Sequence, residues 1–219
     1  MFDFLTLKWY YFFMDINNII NDEKIKEIEV FGRSNNYPIL LGDSCYELLS
    51  LIQNEQPKNI LEIGTCIGYS GTLMLKTLQQ AKLTTIEINE QSASIAKANF
   101  DELGLSNRVQ ILIGDAKDLI KQLNEKYDFI FLDGPKAQYK TYLPFLIDLL
   151  NIGGIIFADN VYFKGFVMQD ESAFIPAGIR SIVKNLRLYL KLVKQDARLQ
   201  VNVKDIGDGI CIAKKVKER

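Results

Sequence analysis

Five acids stand where short apolar runs end. They are Glu62 in Ile60-Leu61-Glu62-Ile63, Glu87 in Thr84-Thr85-Ile86-Glu87, Asp115 in Gly114-Asp115-Ala116, Asp133 in Leu132-Asp133-Gly134 and Asp159 in Ala158-Asp159-Asn160. The first run breaks at Gly64, and Gly68 follows at a spacing of four before an apolar segment opening at Ser70. A strand, a glycine turn and a helix start in that order place backbone beside a nucleotide. Glu87 lies about 20 residues after the turn, where a carboxylate can accept hydrogen bonds from two ribose hydroxyls. Each acid alone also has a structural explanation: Glu87 or Asp115 as a helix cap, Asp133 as a turn residue. Five at successive strand ends are hard to explain by capping. The Gly-x-x-x-Gly spacing also differs from the Gly-x-Gly-x-x-Gly of dinucleotide proteins, which argues against hydride chemistry.

The elements that must carry these groups alternate from residue 59 onward. The pattern predicts strands at 60–63, 83–88, 109–113, 129–132 and 155–158, separated by helices at 70–78, 90–103, 116–123 and 139–150. That alternation predicts βαβ units, a parallel sheet and right-handed crossovers. A long helix over 182–193 then precedes strands at 199–206 and 210–213 joined through Gly207-Asp208-Gly209, an antiparallel hairpin at the sheet edge. The expected fold is α/β and Rossmann-like: a seven-stranded, mostly parallel sheet with an antiparallel C-terminal hairpin and helices on both faces. Upstream, residues 15–30 read as a helix stopped by Gly32, and 44–52 as a second helix. No linker or repeat appears, so 1–219 reads as a single domain. Residues 1–13, dense in aromatics, are too short to span a bilayer and lack the basic start of a secretory signal. They read as an aromatic packing segment or as an extension ahead of Met14, and the ordinary helix beginning at Met14-Asp15-Ile16 favours the extension.

Composition narrows the chemistry. The chain has no histidine, which excludes histidine bases, Ser-His-Asp triads and histidine-bearing zinc sites. Cys45, Cys66 and Cys211 are odd in number and far apart, as expected of a reduced cytoplasmic protein. Net charge is −1, yet residues 160–219 hold 12 Lys/Arg against 6 Asp/Glu. This basic quarter reads either as a solvated helix face with a frayed tail (Lys214, Lys215, Lys217, Arg219) or as a surface for a polyanion.

The stretches from Ile60 to Ser70, Thr84–Glu87, Gly114–Ala116, Tyr127-Asp128-Phe129-Ile130-Phe131-Leu132-Asp133 and Asp159-Asn160-Val161 together resemble the cation-dependent O-methyltransferases. That family includes catechol and caffeoyl-CoA methyltransferases, and the likeness covers roughly residues 38–213. Lys136-Ala137-Gln138-Tyr139, the run from Asp159 to Val167 and Ile206-Gly207-Asp208-Gly209 most resemble its bacterial members that methylate 5-hydroxyuridine in tRNA. The resemblance implies S-adenosylmethionine as methyl donor. Gly64 and the turn to Ser70 would approach its methionine part, Glu62 its amino group, Glu87 its ribose, and Asp115 with Ala116 its adenine, while Leu40 closes over it. Asp133, Asp159 and Asn160 match the family's ligands for Mg²⁺ or another divalent cation.

The chemistry agrees with that assignment. Two carboxylates and an amide oxygen form a hard, incomplete shell, leaving room for an acceptor with two adjacent oxygens. Lys136, three residues past Asp133, is the candidate general base or oxyanion stabiliser, with Pro135 fixing a backbone angle just before it. The resemblance makes tRNA the expected substrate, methylated at the wobble position, and Lys164, Arg180, Lys184, Arg187, Lys191 and Lys194 could follow its phosphates. A small catechol-like molecule is the alternative, bound in a deeper apolar pocket bordered by residues 162–168. A homodimer through the N-terminal helices is also expected, and no membrane partner.

Overall fold

The computed structural model describes residues 15–170 and 172–218; the aromatic segment 1–13 lies outside the described residues. Residues 15–20 are helical, and the helix then ends in a turn at Asn21. Asp22 caps the next helix, α1 (Glu23–Ser34), accepting from the N–H groups of Lys24 and Ile25. The cap divides the helix expected over 15–30. Gly32 does not stop α1 either: a Cβ there would stand 2.9 Å from Ile39 and 3.1 Å from Ile67, so the glycine admits close packing of α1. Helix α2 (Gly42–Glu55) leads to β1 (Asn59–Ile63).

From there the alternation holds: α3 (Tyr69–Thr77), β2 (Lys82–Glu87), α4 (Glu90–Glu102), β3 (Val109–Ile113), α5 (Ala116–Leu119), β4 (Tyr127–Leu132), α6 (Tyr139–Leu149), β5 (Leu150–Ala158), α7 (Arg180–Gln195), β6 (Leu199–Lys204) and β7 (Ile210–Lys215). Strand order is β3-β2-β1-β4-β5-β7-β6, with β1 to β5 parallel. Strand β7 runs antiparallel to both its neighbours, inserted between β5 and β6. The hairpin therefore completes the sheet, with β6 as the edge.

Strands covered on both faces read as continuous apolar runs, and their residues alternate between two cores. Ile60, Phe129, Phe131, Ile155 and Phe157 pack with residues of α1 to α4; Leu61, Ile63, Ile130, Leu132 and Ile156 pack with residues of α6 and α7. Glu62, two residues from Ile60, shares the first face and points beneath α3, where a Cβ on Gly71 would meet its Oε2 at 3.3 Å. No helix among the described residues is long and apolar enough to cross a membrane.

The basic quarter is partly spent inside the fold. Lys215, read above as part of a frayed tail, is buried and donates to the Leu150 carbonyl at 2.9 Å. Lys214 pairs with Glu55. Arg187 donates to the carbonyls of Phe166, Val167 and Gln169, and Arg180 to that of Ile175.

Candidate active site

The C-terminal ends of β1, β2, β4 and β5 surround a cavity of about 630 Å³. Of the expected site residues, Leu40, Gly64, Glu87, Asp115, Ala116, Asp133, Lys136, Asp159 and Asn160 line it. This is the position that parallel α/β sheets offer to a ligand.

At one side lies the glycine turn. The Gly64 N–H donates to Ile86 O at 3.0 Å, and Gly68 N–H to Thr65 O at 2.8 Å. Gly64 has φ of 106°, and a Cβ on it would lie 2.7 Å from the Asp133 carbonyl oxygen. Only glycine lets these two strand ends touch. Cys66, at φ of 50°, donates its N–H to Glu87 Oε2 at 2.8 Å, and Asn89 N–H donates to Oε1 at 2.9 Å. Each carboxylate oxygen of Glu87 is thus held by one N–H and retains a lone pair for a diol.

Glu62 and Ser70 do not line the cavity. Glu62 is fully buried behind the turn, accepting from Ser70 Oγ at 2.5 Å and Thr85 Oγ1 at 2.6 Å. Thr65 and Thr85 share a further hydroxyl bond at 2.6 Å. Burial pushes the Glu62 carboxyl up to about 7, against the two hydroxyl donors. Glu62, Ser70 and Thr85 thus form a buried brace joining β1, β2 and α3. Asp115 caps α5, accepting from Lys117 N–H at 2.8 Å, and still faces the cavity. Its structural and binding readings are compatible.

At the other side the acids converge. Burial raises the Asp133 carboxyl, and the Lys136 ammonium, 2.5 Å from Oδ1, opposes that rise. Asp159 is pushed up to about 6, first by burial and then by the neighbouring Asp133 charge. Ser44 Oγ donates to Asp159 Oδ1 at 3.1 Å. Asn160 holds a left-handed backbone, φ 53°, a conformation asparagine tolerates better than most residues. Among the described residues no group of three or more His, Cys, Asp or Glu converges; the set is two carboxylates and an amide. A partly buried Asp133 whose charge raises the buried Asp159, a lysine paired to Asp133, and oxygen donors only fit a hard divalent cation.

Several residues were not singled out for these positions. Tyr139 donates its hydroxyl to Leu132 O at 2.9 Å and Asp159 O at 3.3 Å, pinning the two acid-bearing strand ends. Its only signal is its place after Lys136. Tyr142 lines the cavity with a buried hydroxyl that has no hydrogen-bond partner among the described residues. Ser44, Phe163 and Asp208 also line it, brought from distant sequence.

Residues 37–216 match the model of the O-methyltransferase family. The chain is similar to a catechol O-methyltransferase of Niastella koreensis, 40% identical over 127 residues, 56% of this chain and 58% of that protein. It is 30% identical to caffeoyl-CoA O-methyltransferase 1 of Nicotiana tabacum over 186 residues, 80% of this chain and 76% of that one. An O-methyltransferase from Bacillus cereus, solved with S-adenosylhomocysteine, superposes with a TM-score of 0.78 at 27% identity, covering 89% of this chain and 92% of that one.

Proposed function

The chain belongs to the O-methyltransferase family and is an S-adenosylmethionine-dependent enzyme, and from that premise we propose that it methylates one of two adjacent oxygens on a small, catechol-like aromatic. The observation that carries this reading is that Asp133, Asp159, Asn160 and Lys136 line one cavity together with Gly64 of the glycine turn and Glu87. About 630 Å³ is in the range for small ligands.

S-adenosylmethionine supplies an electrophilic sulfonium methyl. Glu87 would hold its ribose, the backbone of Gly64 and the turn after it would approach its methionine part, Asp115 and Ala116 would border its base, and Leu40 would cover it. Asp133, Asp159 and Asn160 would hold a divalent cation, whose Lewis acidity would orient a chelating acceptor and acidify its hydroxyl. The Lys136 ammonium, committed to Asp133 in this structure, stabilises negative charge developing on the acceptor oxygen. Positioning of the two reactants by these walls, with water excluded, provides most of the rate.

A second reading, the wobble 5-hydroxyuridine of tRNA, keeps the same chemistry, because that base also carries adjacent oxygens. It is favoured by Lys184, Lys191 and Lys194, exposed on one face of α7. The test supplies S-adenosylmethionine and Mg²⁺ with either a catechol or tRNA carrying 5-hydroxyuridine, and reads a mass gain of one CH₂. Turnover of the catechol, abolished by EDTA and nearly independent of salt, supports the small-molecule reading. Methylation of tRNA alone, falling steeply with salt, replaces it.

A further inference from the structure

The hairpin turn Gly207-Asp208-Gly209 has no part in the chemistry above, yet it grips the segment that follows the metal-ligand candidates. Val161 N–H donates to Gly209 O and Tyr162 N–H to Asp208 O, each at 2.9 Å. Lys164 N–H then donates to both carboxylate oxygens of Asp208 at 2.7 Å. The residues held this way are strained. Phe163 has φ of 47° and Lys164 of 57°, followed by Gly165 at 77°. A bulky residue in the left-handed region is a real outlier, and two in succession persist only where the surroundings over-determine them. Strain on this side of the cavity has a use, because Phe163 lines it beside Asn160.

Further contacts tie the same turn to the acids. A Cβ on Gly207 would come within 2.5 Å of Ser44 Oγ, the donor to Asp159, and one on Gly209 within 2.4 Å of the Tyr162 ring. Both glycines hold positive φ. The turn is therefore seated in contact with Ser44 on one side and the Tyr162 ring on the other, and Asp208 is aimed by that seating.

We infer that Asp208 is a positioning residue: its carboxylate holds Phe163 and Lys164 in the left-handed backbone that sets Phe163 as a wall for the acceptor. This rests on the reading that the acceptor enters beside Asp133 and Asp159. The donor side, built from the glycine turn and Glu87, does not depend on it.

The test pairs Asp208→Ala with Asp208→Asn and measures amide hydrogen exchange at Lys164, the Kd for S-adenosylhomocysteine, and acceptor KM and kcat with whichever acceptor the wild type methylates. In Asp208→Ala the Lys164 amide exchanges at least about tenfold faster and acceptor KM rises about tenfold, the scale of one hydrogen bond to a charged acceptor. The Kd for S-adenosylhomocysteine stays within about twofold on the same scale. Asp208→Asn, which keeps an acceptor oxygen, recovers most of both losses. In a Lys164→Gly background, where the left-handed backbone carries no penalty, Asp208→Ala raises KM less than in the wild type. Unchanged exchange at Lys164 overturns the clamp whatever the substrate is. Faster exchange with unchanged KM, or a KM rise matched by an equal rise in Kd for S-adenosylhomocysteine, overturns the positioning role. If the wild type methylates neither acceptor, the proposed substrates fail on their own, and the clamp is still decided by the exchange.

Discussion

Glu62 offers a quantitative test of the buried brace beneath the glycine turn. Its carboxyl is raised from 4.5 to about 7, chiefly by burial, so the fold favours the protonated form. The associated stability is complete below the unfolded value of about 4.5 and is lost as pH rises through about 7. At about 1.4 kcal/mol per pH unit, the loss on ionisation is on the order of 3 kcal/mol. Glu62→Gln removes it, because the amide is neutral and nearly isosteric. Its oxygen can still accept from the Ser70 or Thr85 hydroxyl, and its NH₂ can donate to the other, since a hydroxyl serves either role. Urea unfolding followed by far-ultraviolet circular dichroism, at pH 5 and pH 8, measures the effect. Asp133 and Asp159 also carry raised carboxyls, so the informative quantity is the difference between wild type and variant. The variant should gain about 2–3 kcal/mol on the wild type between pH 5 and pH 8. Parallel stability curves for the two proteins would refute the reasoning.

Three further outcomes are expected. Gly64→Ala forces a Cβ against the Asp133 carbonyl in a left-handed turn; it should cost more than about 2 kcal/mol and abolish S-adenosylhomocysteine binding, read by thermal melting and calorimetry. Lys136→Ala should lower kcat by about 10²-fold or more while leaving S-adenosylhomocysteine affinity near wild type. With the opposing ammonium gone, the Asp133 carboxyl rises further, so the acid limb of the pH–rate profile should move to higher pH. Lys215→Met removes the donor to the buried Leu150 carbonyl and the ion pair to Glu218 and should cost about 1–3 kcal/mol in urea unfolding; an unchanged midpoint would show that Lys215 contributes no net stability.

Chain order and apolar periodicity alone determine the strand–helix alternation from residue 59 and the delivery of Glu87, Asp115, Asp133 and Asp159 to one side of the sheet. Those properties are local: a strand covered on both faces must be apolar, and its polar end must leave the sheet where the chain turns. The absence of histidine likewise limits the chemistry before any fold is known. Tertiary structure decides what depends on facing and on distance along the chain. Glu62 shares the face of Ile60 and lies beneath α3, bonded to Ser70 and Thr85, because the surroundings of a strand residue are set by what packs on its face. Gly32 reads as a helix stop and instead admits close packing of α1 against Ile39 and Ile67. Lys215 and Arg187 read as solvated or phosphate-facing charges, and the fold commits them to backbone carbonyls. The junction of Ser44, Asp159 and the Gly207–Gly209 turn joins residues more than a hundred positions apart. No sequence window contains that contact, since it exists only once β7 has inserted beside β5.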